Sequence, residues 1–376
     1  MRSLLLVSVM GLVVACTQPP PSAIPSGQAG TPLMETAPGQ WLSGSHTNPY
    51  GTRSYRLYVP SGTGAKPLPL VVMLHGCTQT ADDFAAGTTM NSVAESHGFL
   101  VVYPEQDPGA NGSRCWNWFD PAHQARGGGE PSLIAGIVND VKLGYRVNEN
   151  RIYAAGMSAG GAMAVLLGAS YPDLVSALGV HSGLEYRAAS DAASGVVAQA
   201  LGGPSPLVQG EAAYRAMGSV RGRTPVIVFH GALDPTVQAV NGHQVLSQWA
   251  RTNDLGDDGV PNGSVDDVPE REETGQTPAG YHYTRSVHEN ASGAVLMEKW
   301  IVHELLHAWS GGSSMGSYSN TRGPNASQQL WRFFSESASG PPAIGDDVPP
   351  VLAASPAGGT YVGPTTVTLS LNEPGR

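Results

Sequence analysis

Basic residues are scarce in this chain: 20 Lys and Arg stand against 30 Asp and Glu over 376 residues, a formal net charge of −10. No basic stripe is available to neutralise phosphates, which excludes nucleic acid and other polyanions as partners. Charged residues of either sign make up 13% and hydrophobic residues 41%. That balance excludes disorder throughout and suits one large core with appendages. Cysteine is nearly absent, with three residues, so the chain holds at most one internal disulfide. Long apolar runs are missing too. The run in "MRSLLLVSVMGLVVAC" is too short to span a bilayer as a mature helix.

That opening stretch has the form of an export signal, with Arg2 preceding the apolar run. Its end, "VVAC", resembles the lipobox of bacterial lipoproteins, which implies a signal peptide over 1–15, lipid on Cys16 and attachment to an outer membrane leaflet. The other reading is an ordinary signal peptide cut nearby. With Cys16 lipidated, Cys77 and Cys115 form an even pair in an oxidising setting and are expected to be disulfide-bonded, against the alternative of two buried thiols. Localisation is accordingly the cell envelope or the exterior.

Residues 16–40 are rich in Pro, Gly, Ser and Thr and read as a flexible tether. From Trp41 to residue 337, strand-like and helix-like runs alternate, the pattern of an α/β domain with a mostly parallel sheet flanked by helices. "SYRLYVP", "LPLVVMLHG", "GFLVVYPE", "RIYAAGMS", "SALGVHSG", "TPVIVFHG" and "AVLMEKWIV" are the expected strands. "EPSLIAGIVNDVKLGY", "GAMAVLLGASYP" and "NASQQLWRFFSES" are expected helices, the last capped by Asn325 with Leu330, Phe333 and Phe334 facing inward. Residues 254–273 carry eight carboxylates against one Arg and are read as a solvated insertion, with a calcium loop as the alternative. After a linker at 338–350, residues 351–376 resemble the opening of the β-sandwich modules of chitobiase-like enzymes, incomplete here, or else form a tail.

Two stretches match G-x-S-x-G, the turn that lifts a nucleophilic serine above a sheet. "GSSMG", centred on Ser314, has no strand before it and no helix directly after; "GMSAG", centred on Ser158, follows a strand and opens a helix. Context selects Ser158. Acyl transfer also needs donors for the developing oxyanion, and the backbone N–H groups of Ala159 and of Cys77, in the loop "HGCTQ", are the candidates. A base and an orienting acid should follow in the order acid, then His. Asp234 and His307, each shortly beyond an expected strand, satisfy that order.

His307 also closes "HELLH", so His303, Glu304 and His307 match the zinc-protease pattern H-E-x-x-H. A third ligand is missing where the extended pattern wants one, Ser310 and Ser313 standing in place of Gly and His. Glu336 is the nearest distant substitute. The strand character of "AVLMEKWIV" and the Gly-Gly at 311–312 argue against the helix this motif requires.

Together, "PLVVMLHGCTQTADDFAAGTTMN", "FLVVYPEQ", "CWNWF", "GMSAGGAMA", "VFHGALDPTV", "HAWSGG" and "GPNASQQLWRFF" resemble the poly(3-hydroxybutyrate) depolymerase-type esterases over residues 41–336. The resemblance implies an exported, monomeric α/β-hydrolase with a Ser158, Asp234, His307 triad and no metal or organic cofactor. It implies a polyester or oligoester substrate, or alternatively a feruloyl or acetylxylan ester; a non-catalytic surface lipoprotein is the rival from another class. Trp116, Trp118 and Trp309 are candidates to line an acyl crevice, with core packing as the alternative for each. In one place the chain departs from the family pattern: Glu304 and Leu306 replace two glycines just before His307, which puts in doubt the turn that presents it.

Overall fold

Runs such as "LPLVVML" and "LVVYP" hide side chains on both faces, which requires a sheet covered by helices on each side. The computed structural model describes residues 39–337, apart from 63, 65, 221 and 291, together with the backbone of two later strands. In chain order the elements are β1 (Gln40–Asn48), β2 (Gly51–Val59), β3 (Leu68–Leu74), α1 (Ala81–Thr88), α2 (Met90–His97), β4 (Leu100–Pro104), α3 (Gly129–Gly144), β5 (Val147–Met157) and α4 (Ala159–Ser170). There follow β6 (Ala177–His181), α5 (Ala192–Leu201), α6 (Pro206–Ala216), β7 (Val226–Gly231), α7 (Val240–Asp258), β8 (Arg271–Gln276), β9 (His282–Glu289) and β10 (Val295–Val302). The short β11 (Trp309–Ser310) and β12 (Ser319–Asn320), α8 (Ala326–Glu336), and β13 (Leu352–Ser355) with β14 (Thr368–Leu371) complete the series.

Ten strands form one sheet in the order β1-β2-β4-β3-β5-β6-β7-β10-β9-β8. The strands from β4 to β10 run parallel, and antiparallel pairs close both edges. This is the α/β-hydrolase architecture. Alternation along β3 sends Leu70, Val72 and Leu74 into a core with α3, α4 and α7, and Val71 and Met73 into a second core with α1, α2 and α8. Helix α4 is buried all round, as its almost uniformly small and apolar sequence demands. Asn325 caps α8 by accepting from the Gln328 N–H at 2.9 Å, and Leu330, Phe333 and Phe334 are buried.

Every expected strand forms, but β1, β8 and β9 were not legible. Their residues are exposed or half-buried apart from Ser286, Val287 and His288 of β9, and they are strands because a neighbouring edge offers them partners. For the same reason the acidic stretch 254–273 is only partly a solvated insertion. Helix α7 runs into it, Asp254 is buried and accepts from the Ser264 N–H at 2.8 Å, and β8 begins at its end. Among the described residues no group of three or more His, Cys, Asp or Glu is arranged to hold a metal ion. None of the described helices is long and apolar enough to cross a membrane. The expected signal, Cys16 and the tether up to residue 38 lie outside the described residues, while Gln40, placed in the tether, opens β1; within 351–376 the antiparallel pair β13–β14 is what is described.

Candidate active site

Ser158 sits between β5 and α4 with φ 57° and ψ −122°, a conformation that costs energy for any residue with a side chain. Its backbone N–H donates to the His181 carbonyl at 2.9 Å, tying the turn to the end of β6. Close approach of β3 makes the turn possible. A Cβ at Gly160 would lie 2.0 Å from the Leu74 carbonyl oxygen, and one at Gly76 would touch Ser158 Cβ at 3.5 Å. The loop after β3 therefore adjoins the serine. Ser314, by contrast, lies exposed in a turn after β11.

Asp234 is buried just beyond β7. Its Oδ1 accepts from the Thr236 and Val237 N–H groups, both at 2.9 Å, and its Oδ2 accepts from His307 Nδ1 at 2.7 Å. A carboxylate only accepts, so Nδ1 carries the proton and Nε2 is left to accept elsewhere. Burial opposes ionisation of Asp234, but the His307 hydrogen bond and charge and the Val237 amide outweigh it and hold the carboxyl below its usual range. The loops bearing the pair are laced together: Ala232 N–H donates to the Val302 carbonyl at 2.9 Å and Leu233 N–H to the Leu305 carbonyl at 3.1 Å.

The H-E-x-x-H match has no helix beneath it. Val302 ends β10, and His303 to His307 form turns. His303 bonds Thr284 Oγ1 at 2.9 Å, and Glu304 accepts from His282 at both the backbone N (2.8 Å) and Nδ1 (2.6 Å). Glu336 ends α8 paired with Arg332 at 2.7 Å. The zinc-protease reading fails on this geometry. The same contacts answer the doubt about the missing glycines, because Glu304 anchors the turn to β9 and the turn still delivers His307 to Asp234.

Cys77 and Cys115 are disulfide-bonded, joining the loop after β3 to the "CWNWF" segment. In that loop Gly76 N–H donates to Gln79 Oε1 at 3.0 Å and Thr78 N–H to the Ser113 carbonyl at 2.6 Å. Among the described residues no such bond engages the N–H of Cys77, or that of Ala159 at the start of α4.

Residues 53–272, more than half of the chain, match the family described as Esterase PHB depolymerase. The chain belongs to that esterase family. Poly(3-hydroxyalkanoate) depolymerase C of Paucimonas lemoignei is 32% identical over 71% of this chain and 60% of its own length. Feruloyl esterase B of Neurospora crassa is 32% identical over 54% of the chain and 71% of its own. The probable acetylxylan esterase A of Aspergillus fumigatus is 30% identical over 56% of the chain and 58% of its own. The fold is shared with the acetyl xylan esterase from Aspergillus awamori, at a TM-score of 0.61 and 21% identity over 78% of this chain and 99% of that one.

The three tryptophans expected to line a crevice lie in the interior. Trp116, Trp118 and Trp309 are 0%, 3% and 1% exposed. Trp309 stacks on His181 at 5.0 Å and donates to Ser327 Oγ at 3.1 Å, while Trp116 packs near His75. All three belong to the hydrophobic cores, as in the core-packing alternative. The exposed apolar groups beside the Asp234–His307 pair are Leu233, Leu306 and Tyr318, the last edge-on to His307 at 6.3 Å. Sequence reading missed them: Leu233 and Leu306 had only their adjacency to Asp234 and His307 as a signal, and Tyr318 had none. It also missed His181, which stands behind both Ser158 and Trp309.

Glu185, in the segment after β6, is buried with neither carboxyl oxygen hydrogen-bonded among the described residues. Burial raises its pKa from 4.5 to about 8. The folded chain therefore keeps a proton that the unfolded chain loses near pH 4.5, so stability falls as pH climbs from 4.5 and the loss is complete above about 8. We expect Glu185→Gln to flatten that decline. In urea titrations at pH 5 and pH 9, the drop in unfolding free energy should shrink by about 2–4 kcal/mol in the variant; an unchanged drop would show that Glu185 ionises normally.

Proposed function

We propose that this chain hydrolyses carboxylic esters through an acyl-enzyme, with Ser158 as nucleophile, His307 as base, Asp234 as its orienting acid, and the Cys77 and Ala159 N–H groups as oxyanion donors. The observation that carries the reading is the 2.7 Å bond from His307 Nδ1 to Asp234. It leaves Nε2 unprotonated, able to take the Ser158 proton as Oγ adds to the ester carbonyl. The negative charge then forms on the carbonyl oxygen and is met by the two N–H groups at the start of α4 and after β3. His307 returns the proton to the departing alcohol, and water repeats the sequence in reverse to release the acid. Asp234 stays ionised throughout, favouring the imidazolium.

The substrate we infer is a short-chain hydroxyalkanoate polyester or its oligomers. Support comes from the Paucimonas depolymerase, whose match spans 71% of this chain against 54% for the Neurospora feruloyl esterase and 56% for the Aspergillus fumigatus acetylxylan esterase. The apolar Leu233, Leu306 and Tyr318 beside the acid and base agree with it. The aromatic crevice expected from the sequence contributes nothing, since those rings are buried. Export, lipid on Cys16 with membrane attachment, and a monomeric state complete the reading.

A side-by-side comparison of kcat/KM on 3-hydroxybutyrate oligomers, methyl ferulate and acetylated xylooligomers decides the substrate, because discrimination is a ratio of those values. The oligomers should lead by about tenfold or more. A lead of that size for ferulate or acetylxylan would transfer the enzyme to plant polysaccharide esters. No turnover of any ester would favour the non-catalytic lipoprotein.

A further inference from the structure

We propose that Glu130 is a positioning residue for the oxyanion donor at Cys77, acting through two chains of contacts that meet on the Gly76–Cys77 peptide. The proposal rests on the serine-esterase reading. Glu130 lies fully buried in the first turn of α3. Its Oε1 accepts from Arg53 Nη2 at 3.1 Å, from Asn117 Nδ2 at 2.8 Å and from Gln106 Nε2, and its Oε2 accepts from the Asn117 N–H at 2.7 Å. Burying a carboxylate beside a buried Arg53 is costly, and an apolar pair of similar volume often serves stability as well. What the charge does here is to hold several separate segments in one register.

The first chain of contacts runs through Gln106. Its side chain is shared between Glu130 and the Cys115 carbonyl at 2.8 Å, and its backbone N–H donates to His75 Nε2 at 3.0 Å. With Nε2 accepting, the proton of the neutral ring sits on Nδ1, which donates to the Gly76 carbonyl at 2.7 Å. Burial, the main influence on His75, lowers its pKa and keeps the ring neutral. The Gly76 carbonyl and the Cys77 N–H belong to one rigid trans peptide and point in opposite directions. Holding the carbonyl against His75 therefore aims the N–H away from His75. The second chain is covalent. Asn117, bonded twice to Glu130, stands two residues after Cys115, and Cys115 is disulfide-bonded to Cys77. One carboxylate thus sets both sides of the donor peptide. Its partners come from positions 53, 106 and 117, and His75 is reached through Gln106; no local pattern connects them.

Glu130→Gln offers one acceptor oxygen where the carboxylate serves four donors, so the register should loosen. We expect kcat on p-nitrophenyl butyrate to fall about 10–100-fold with KM within about twofold, since misplacing one oxyanion donor costs less than removing it. The affinity of an alkyl trifluoromethyl ketone, which becomes a bound oxyanion on adding to serine, should fall by the same factor. Gln106→Met removes the side-chain link to Glu130 and, with it, the contact to the Cys115 carbonyl, while leaving Glu130 with Arg53 and Asn117 and the disulfide in place; it should show the same split at about tenfold, and it is the test if Glu130→Gln does not fold. Activities are compared per folded enzyme at equal far-UV circular dichroism. A lowered Tm with kcat and ketone affinity within twofold of the parent would make Glu130 merely structural and overturn the proposal. Failure of the ketone to inhibit the parent enzyme would remove the serine-esterase reading itself, a separate result that takes the proposal with it.

Discussion

Ser158→Ala should lower kcat on p-nitrophenyl butyrate by at least about 10,000-fold, because loss of the nucleophile leaves only binding and oxyanion stabilisation. The strained backbone at φ 57° is expected to survive, since alanine has no greater bulk than serine. Ser314→Ala, in the exposed turn of the second G-x-S-x-G match, should retain activity within about twofold, as surface substitutions away from special features usually do. Mass mapping after treatment with a fluorophosphonate should place the label on the peptide containing Ser158. Full activity in Ser158→Ala, or a label on Ser314, would move the nucleophile out of the turn between β5 and α4.

Asp234→Asn is the second large effect, and the surroundings of the carboxylate dictate its direction. The Thr236 and Val237 N–H groups demand an acceptor at Oδ1, so an Asn would place its carbonyl oxygen there and turn its NH2 toward His307. His307 would then have to accept at Nδ1, which moves its proton to Nε2. A ring protonated at Nε2 and neutral overall takes no proton from Ser158. The expected loss in kcat is about 10,000-fold near neutral pH, with binding of a non-reactive ester analogue little changed. Steady-state kinetics with inhibition by that analogue checks both halves. A loss under tenfold would mean that Asp234 does not orient the base.

The strands from β3 to β7, the helices α3, α4 and α8 and the strand–turn–helix setting of Ser158, which Ser314 lacks, were all readable from the sequence. Each rests on local signals: short apolar runs bounded by Gly and Pro, 3.6-residue spacing, an Asn cap, and a strand–turn–helix order around one serine. That Asp234 and His307 are hydrogen-bonded partners was foreshadowed by their order, since each lies just beyond a strand. What local pattern does not encode is pairing between distant segments. Strands β1, β8 and β9 have little apolar character of their own and form because exposed sheet edges recruit them. The tryptophans of "CWNWF" and "HAWSGG" look alike whether they face solvent or core, and only packing on His75, His181 and Ser327 decided that they are interior. In the same way "HELLH" spells a zinc site until β10 ends at Val302, just before it, and His282, 22 positions earlier, claims Glu304. Residue types and their order determined the chemistry available to this chain. Which of those groups meet was left to long-range contacts, because a hydrogen bond between residues 234 and 307 depends on β7 and β10 pairing side by side although α7, β8 and β9 separate them in the chain.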